Sequence, residues 1–277
     1  MKRRDTVVLD LDGTLIDERG AVDRAFLSAG HVGHQLIGVD AAHLARTARI
    51  TAQRLWWKAR WIDPLSDAFG ISAWDGLSED FDRAVPALAR LRAWLPSFRE
   101  AAWQLTLERC GVGGDGGRAV AAAMNERYIQ HRHQDVTLLP GAAELVEQLA
   151  YEERRVVVLT NGPGDGQRRK LAATRLLKYM YDPVISTEAG FAKPDPRAVA
   201  SAVDRAGGQI ETAVVIGDTY DRDILGALAC DVPSIWITGQ SSTRAHPHPR
   251  VIRVDSTQTV LSALRALESA SGKEPSR

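Results

Sequence analysis

Short apolar segments alternate with amphipathic segments along much of the chain. Four runs of four residues are apolar and mostly rich in β-branched side chains: Thr6 to Leu9, Val156 to Leu159, Ala213 to Ile216 and Ser234 to Ile237. Runs that are apolar on both faces are typical of strands buried within a parallel sheet. We therefore predict four buried strands at these positions.

One amphipathic segment indicates what lies between the strands. Ala142, Leu145, Val146 and Leu149 follow the i, i+3, i+4, i+7 spacing of a single helix face. Strands that alternate with helices predict an α/β fold in which crossover helices connect parallel strands. This region extends from about residue 139 to residue 270, and the run at Thr6 to Leu9 belongs to it.

The segment from residue 18 to residue 135 follows a different pattern. It has few β-branched runs, and it holds six of the seven tryptophans: Trp56, Trp57, Trp61, Trp74, Trp94 and Trp103. Ala101 to Arg109 and Arg118 to His133 are predicted helices, separated by a glycine-rich breaker from Gly111 to Gly117. We interpret the segment as an inserted helical domain whose tryptophans pack between helices. The alternative is that one or two of them face a substrate.

The length of 277 residues is long for one compact domain and suits two. The predicted division places residues 1–17 and 136–270 in a sheet domain and residues 18–135 in the helical domain. The small and polar residues at 271–277 are predicted to form a flexible tail.

Charge and targeting signals narrow the range of partners. Lys and Arg total 35, as do Asp and Glu, so no net charge attracts the chain to nucleic acid or to an anionic membrane. The apolar run after the basic N-terminus is too short for a signal peptide, and no run is long enough to span a membrane. Cys110 and Cys230 lack the spacing of a disulfide framework. We expect a soluble, cytoplasmic protein that binds neither nucleic acid nor a membrane.

Two carboxylates follow the first predicted strand. Asp10 and Asp12 lie at the end of a buried strand, which is where ligands bind in open α/β sheets. Carboxylates in such a place need a cation or hydrogen-bond donors, and Gly13 supplies a turn that other residues resist. An Asp-x-Asp pattern alone would also fit a capped turn. Its position directly after a strand favours a functional site.

Polar residues also follow the later parts of the predicted sheet. Thr160 and Asn161 offer a hydroxyl, an amide and backbone N–H groups, which can hold phosphoryl oxygens. Lys193 precedes a proline near a predicted helix start. Asp218 and Asp223 form a second acidic cluster after another strand.

The carboxyl ends of parallel strands meet at one edge of a sheet, so these segments can converge. Asp10, Asp12 and Asp218 would then repel one another unless a divalent cation neutralised them. Oxygen ligands without Cys or His favour Mg²⁺. Lys193 and the loop at Thr160 supply the positive charge and the donors that an anionic substrate needs. The combination predicts a phosphoryl-transfer site.

The four segments together, in this order and spacing, resemble the four motifs of the haloacid dehalogenase-like (HAD) hydrolase superfamily. They are Val8 to Leu15, Leu159 to Gly162, Lys193, and Ile216 to Asp223. The resemblance implies a phosphatase with a Rossmann-like parallel sheet core and an inserted helical cap at residues 18–135. The run Leu159 to Gly162 followed by Gln167 to Leu171 is similar to the N-acylneuraminate-9-phosphatase-like and related nucleotidase-like members.

The resemblance also implies the roles of the acidic residues. Asp10 would attack phosphorus and become an aspartyl-phosphate. Asp12 would protonate the leaving oxygen and then take a proton from the attacking water. Mg²⁺ would be bound by the Asp10 carboxylate, the Asp12 backbone carbonyl and Asp218.

The remaining motif residues would hold the substrate phosphate. Thr160, the Asn161 backbone and Lys193 would contact the phosphoryl oxygens, while Asp223 would orient water or Lys193. We expect the substrate to be a small phosphorylated metabolite, such as a sugar phosphate, a sugar-acid phosphate or a nucleotide, because a closing cap excludes protein substrates.

Three other functions are compatible with this scaffold. A phosphomutase would keep the same motifs and move phosphate within a sugar. A 2-haloacid dehalogenase would share the aspartate nucleophile, but Asp12, Asp218 and Asp223 argue against it. A non-catalytic binding protein would have little reason to keep the complete set of motif residues.

Overall fold

The computed structural model describes residues 3–239 and 248–270. The chain forms two compact units. The first, called here the sheet unit, comprises Met1–Asp17, Thr137–Asn161 and Leu171–Arg277, and the second, the helical unit, comprises Glu18–Val136 and Gly162–Lys170. The tail predicted at residues 271–277 lies outside the described residues. The assignment of these regions as catalytic core and cap stays a prediction.

The sheet unit is built on six parallel strands in the order β3-β2-β1-β4-β5-β6. The strands are β1 (Thr6–Leu9), β2 (Arg155–Thr160), β3 (Tyr181–Ile185), β4 (Ala213–Gly217), β5 (Ser234–Ile237) and β6 (Val251–Val254). The four predicted strands are confirmed, and β3 and β6 were not predicted. Both are edge strands with exposed positions, so neither has the two-sided apolar pattern of a buried strand.

The helical unit contains six helices and the beginning of a seventh. They are α1 (Glu18–Ile37), α2 (Ala41–Lys58), α3 (Asp63–Phe69), α4 (Ala73–Ser78), α5 (Ala89–Arg109) and α6 (Gly114–Gln134), followed by the first residues of α8 (Gly164–Thr174). No helix within the described ranges combines the length and the apolar character needed to cross a membrane.

The predicted helix boundaries in this unit need correction. The helix predicted from Ala101 is the second half of α5, which begins at Ala89. The predicted breaker is too long, because α6 already begins at Gly114. The break between α5 and α6 is confined to the residues before Gly114, and Gly113 has the extended backbone of an N-cap. Glycine costs a helix about 1 kcal/mol per residue, which the packing of the rest of α6 offsets.

Aromatic side chains fill the core of the helical unit. Trp56 and Trp103 are fully buried, and Phe26 packs against Tyr128 with ring centroids 4.7 Å apart. The prediction that the tryptophans pack between helices is therefore right for these two. Trp57 is an exception, since 48% of it is exposed.

Helices cover the sheet within the sheet unit. They are α7 (Ala142–Tyr151), the end of α8, α9 (Ser186–Ala189), α10 (Pro196–Arg205), α11 (Leu225–Leu228) and α12 (Val260–Ala270). All four apolar residues of the predicted helix face in α7 are buried. On α10, Ala198 and Val199 pack in a cluster with Val8 of β1 and Val157 of β2. Burying such a face is what holds the crossover helices on the sheet.

Gly76 of α4 provides a test of packing in the helical unit. A Cβ at this position would meet the ring of the buried Trp56, so we expect Gly76→Ala to destabilise the protein by about 1–3 kcal/mol through overpacking. Gly116 of α6 is a matched control, because a Cβ there meets nothing and alanine should stabilise the helix by up to about 1 kcal/mol. Urea denaturation measures both, and equal effects of the two variants would contradict the packing.

Candidate active site

Asp10 lies directly beyond β1, in the middle of the sheet. Its N–H donates to the carbonyl of Ile216 at 2.9 Å, which continues the pairing of β1 with β4 by one residue. The side chain is buried, and its Oδ1 accepts a hydrogen bond from Lys193 Nζ at 2.5 Å. Its Oδ2 is buried without a hydrogen-bond partner among the described residues. One oxygen of this carboxylate is therefore held and the other remains available to a ligand.

Lys193 bridges two acids that are distant in sequence. Its ammonium nitrogen lies 2.5 Å from Asp10 and 2.6 Å from Asp223, and all three side chains are buried. Although burial opposes it, the charges of Asp10 and Asp223 raise the pKa of Lys193 above its ordinary value. The lysine is therefore a fixed positive charge at the carboxyl edge of the sheet.

Asn161 holds the backbone of Lys193 in place. Its side-chain amide donates to the Lys193 carbonyl, and its side-chain oxygen accepts from the Lys193 N–H, both at 3.0 Å. Asn161 follows β2, so this pair of hydrogen bonds ties the lysine segment to the sheet. The amide of Asn161 was predicted only as a donor to phosphoryl oxygens, and its contact with Lys193 was not predicted, because nothing local to either residue indicates it.

Asp218 and Asp223 lie on the segment that follows β4. A single π-helical turn, Tyr220–Ile224, carries Asp223, and such turns are frequent at functional sites. The Asp223 carboxylate accepts from the Thr219 N–H at 2.9 Å, and the Asp223 N–H donates to the Thr219 carbonyl at 2.8 Å. These bonds orient Asp223 toward Lys193 and leave Asp218 at the start of the turn.

Three carboxylates lie close together at the carboxyl edge of the sheet. Oxygens of Asp10, Asp218 and Asp223 all lie within 4.8 Å of one another. Burial raises the pKa of Asp10 to about 6 against the opposing charge of Lys193. Burial, with the charges of Asp10 and Asp223, raises the pKa of Asp218 to about 7. One ammonium does not balance three acids, so the site has a deficit of positive charge and an all-oxygen donor set of the kind that Mg²⁺ prefers.

The other motif residues lie beside this acidic group. Asp12 is half-buried, forms an isolated parallel bridge with Ile16 and is not one of the three grouped carboxylates. Gly13 has φ +88°, and a Cβ there would collide with the Asp218 carboxylate, which confirms that the turn requires glycine. Thr160 ends β2 and is buried. The catalytic, phosphate-binding and metal-binding roles of these residues stay predictions.

A cavity of about 390 Å³ opens beside the acidic group within the sheet unit. Its lining includes Gly13, Asp218, Thr238, Asp255 and Gln258. The half-buried Asp218 therefore borders open space, whereas Asp10 and Asp223 are enclosed.

Similarity to known proteins agrees with this geometry. The model of the haloacid dehalogenase-like hydrolases matches residues 4–231. The chain belongs to the haloacid dehalogenase-like hydrolase family. The predicted family is thus confirmed for most of the length of the chain.

Two curated relatives of this HAD hydrolase are phosphatases. It is 31% identical to phosphoserine phosphatase of Thermus thermophilus over 231 residues, which make up 83% of this chain and 87% of that protein. It is 29% identical to N-acylneuraminate-9-phosphatase of Rattus norvegicus over 144 residues, 52% of this chain and 57% of that protein. The family and these relatives confirm the predicted enzyme class, a phosphatase. Membership of the N-acylneuraminate-9-phosphatase-like subgroup stays a prediction.

A solved structure shares the fold of this HAD hydrolase. YfnB, a HAD hydrolase of Bacillus subtilis solved bound to magnesium, superposes with a TM-score of 0.59 at 18% identity, covering 95% of this chain and 99% of that one. The predicted α/β class with a Rossmann-like parallel sheet is confirmed.

Removing the charge of Lys193 should destabilise the protein in the absence of metal. Lys193→Met leaves two buried carboxylates without their cation, and we expect a loss of about 3 kcal/mol in the free energy of unfolding, measured in urea with a chelator present. Adding Asp223→Asn should recover part of this loss, because one of the two charges is then gone. Lys178→Met, at an exposed lysine, should change stability by less than about 0.5 kcal/mol. Strict additivity of the Lys193 and Asp223 substitutions would contradict the bridge.

Proposed function

We propose that this HAD hydrolase is a Mg²⁺-dependent phosphomonoester hydrolase that acts on a small phosphorylated metabolite through an aspartyl-phosphate on Asp10. The observation that carries the proposal is the buried carboxylate of Asp10, which has one oxygen held by Lys193 and the other beside Thr14 without a hydrogen bond of regular geometry. A nucleophile needs one oxygen fixed in direction and a second free to react.

The donor set suits Mg²⁺. Asp10 and Asp218 offer carboxylate oxygens close together, and the backbone carbonyl of Asp12 completes the set that the family resemblance implies. The deficit of positive charge among the grouped carboxylates of Asp10, Asp218 and Asp223 supports a cation at this position. When bound, Mg²⁺ would offset the negative charge of the phosphoryl oxygens.

The chain's own residues account for both chemical steps. An oxygen of Asp10 attacks phosphorus, the bond from phosphorus to the leaving oxygen breaks, and Asp12 gives that oxygen its proton. Water then attacks phosphorus, Asp12 takes the proton of the water, and the bond from Asp10 to phosphorus breaks to release phosphate. Asp12 lies two residues beyond Asp10 and is not one of the grouped carboxylates, and we assign it the proton-transfer role that the family resemblance implies.

Lys193, Thr160 and Asn161 would hold the phosphoryl group. The ammonium of Lys193 remains charged beside Asp10, so it attracts the phosphoryl oxygens to the nucleophile. Thr160 is the last residue of the neighbouring strand β2 and Asn161 follows it, so the Thr160 hydroxyl and the Asn161 N–H lie at the end of that strand. Because Asn161 also fastens the backbone of Lys193, the lysine and the β2 donors form one rigid group.

The substrate class rests on the relatives. One is named for phosphoserine and another for an N-acylneuraminate 9-phosphate, and both names describe small phosphate esters. A phosphomutase uses the same motifs, but these named phosphatase relatives favour hydrolysis. A dehalogenase would not require the further acids Asp12, Asp218 and Asp223.

Asp10→Asn tests the nucleophile. The amide cannot form the aspartyl-phosphate, so kcat/KM for phosphate release should fall by about a thousandfold or more. Asp231→Asn, at an aspartate of the sheet unit with 85% of its side chain exposed, is the control and should retain full activity. Turnover by Asp10→Asn at the wild-type rate would exclude the proposed intermediate.

A panel of phosphoserine, N-acylneuraminate 9-phosphate, nucleotides and phosphopeptides tests the substrate class. If a phosphopeptide were turned over fastest, the proposed class of small metabolites would be wrong.

Metal removal tests the cofactor. Chelation should abolish phosphate release and added Mg²⁺ should restore it, while Asp218→Asn should raise the Mg²⁺ concentration for half-maximal activity by at least about tenfold. Halide release from 2-haloacids in the presence of chelator would favour the dehalogenase instead. A bisphosphate that accumulates during sugar-phosphate turnover would favour the mutase.

A further inference from the structure

The indole of Trp236 contacts the backbone of Asp218. Its Nε1–H donates to the Asp218 carbonyl at 2.9 Å, and its ring lies 4.9 Å from the ring of Tyr220. We propose that Trp236 is a positioning residue that holds the segment from Asp218 to Asp223 in the geometry needed to bind the cation. This inference rests on the proposed function, because Asp218 is one of the carboxylates that we propose as Mg²⁺ ligands.

The sheet register explains how Trp236 reaches this carbonyl. In the pairing of β4 with β5, Gly217 is opposite Trp236. Asp218 is the first residue beyond β4, so its carbonyl lies outside the regular ladder and needs a donor from elsewhere. The indole N–H of the neighbouring strand supplies that donor.

Burial gives this hydrogen bond its weight. Trp236 is 5% exposed, and a buried indole N–H that lost its acceptor would be left unsatisfied. The bond therefore constrains the backbone of Asp218 as strongly as it constrains the tryptophan.

The same indole contacts the beginning of the π-helical turn. Tyr220 opens that turn, and Asp223 lies three residues further along it. Trp236 thus contacts the segment at two residues, Asp218 and Tyr220, and both precede Asp223 in the chain. Since Asp218 and Asp223 are acids that repel each other and Asp10, a free segment would move them apart, and a cation would then have to reassemble the site at a cost in affinity.

If Trp236 only filled space in the core, the expected results would differ. Its hydrogen bond would contribute to overall stability, but removal of the N–H would change neither cation affinity nor local protection at Thr219 and Asp223. Trp103 provides the matched control. It is buried and donates its indole N–H to Asn125 Oδ1 at the same distance of 2.9 Å, within the helical unit.

The experiment compares Trp236→Phe with Trp103→Phe in the full chain. Phenylalanine keeps an aromatic ring at each position and removes the donor. Isothermal titration with Mg²⁺ should give a dissociation constant about tenfold higher for Trp236→Phe and a change below about twofold for Trp103→Phe. In the metal-free protein, the amides of Thr219 and Asp223 should exchange hydrogen about fivefold faster in Trp236→Phe, the equivalent of one neutral hydrogen bond.

The outcomes separate the inference from the proposed function. Equal Mg²⁺ affinities for Trp236→Phe and wild type, or an equally large loss in Trp103→Phe, would overturn the positioning role. If the wild type bound no Mg²⁺, the proposed function would fail, while the exchange rates of the metal-free protein would still decide whether Trp236 holds the segment.

A measurement on the wild type covers the case in which Trp236→Phe does not fold. In ¹⁵N-labelled protein, the Trp236 indole N–H should be protected from exchange, and its resonance should shift on addition of Mg²⁺ more than that of Trp103. An indole N–H of Trp236 that exchanges freely would overturn the inference.

Discussion

The site depends on one buried ammonium placed between two carboxylates. Lys193 lies 2.5 Å from Asp10 and 2.6 Å from Asp223, so it permits two acids to be buried side by side where repulsion would otherwise separate them. Its single positive charge does not balance these two carboxylates, and Asp218 adds a third acid. The remaining negative charge supports the proposal that a hard divalent cation and, through that cation, a phosphoryl group bind at this edge of the sheet.

The parallel sheet supplies the geometry that this charge arrangement requires. Asp10 follows β1, Asn161 follows β2 and Asp218 follows β4, and these strands are neighbours in the sheet. Lys193 lies in no strand, and its backbone is held by two hydrogen bonds with Asn161, one accepted and one donated by Lys193. β5 contributes in the same way through Trp236, which binds the carbonyl of Asp218. Lys193 and Asp218, to which we assign chemical roles, are thus each hydrogen-bonded to a residue in or just beyond another strand.

The parts of this arrangement that could be predicted from sequence are those with a local signal. β1, β2, β4 and β5 are apolar on both faces, and the polar residues after three of them are adjacent in the chain to that signal. The edge strands β3 and β6 have no such pattern. The contacts of Asn161 with Lys193 and of Trp236 with Asp218 join residues 32 and 18 positions apart. They depend on strand order and register, which no local pattern contains.

Buried acids occur in both units, and their partners differ between the two. In the helical unit, Lys170 and Arg132 hold the pKa of Glu18 below its ordinary value despite burial, and His133 and Arg169 lower that of Glu79 to about 2. Glu18 and Glu79 each interact with two basic side chains, as is typical of a structural network of ion pairs. Asp75 and Asp165 differ, because burial raises the pKa of both, that of Asp75 to about 6. The Asp75 carboxylate is occupied in the cap of α4, and Asp165 accepts hydrogen bonds from two backbone N–H groups. At Asp10 and Asp218 the pKa values rise and an oxygen of Asp10 has no hydrogen bond of regular geometry. A buried acid that is both raised in pKa and incompletely satisfied is a candidate ligand site. Asp165 shares these two features, so what distinguishes the edge of the sheet is the grouping of Asp10, Asp218 and Asp223 around the buried Lys193, and this grouping supports the proposed reactive site.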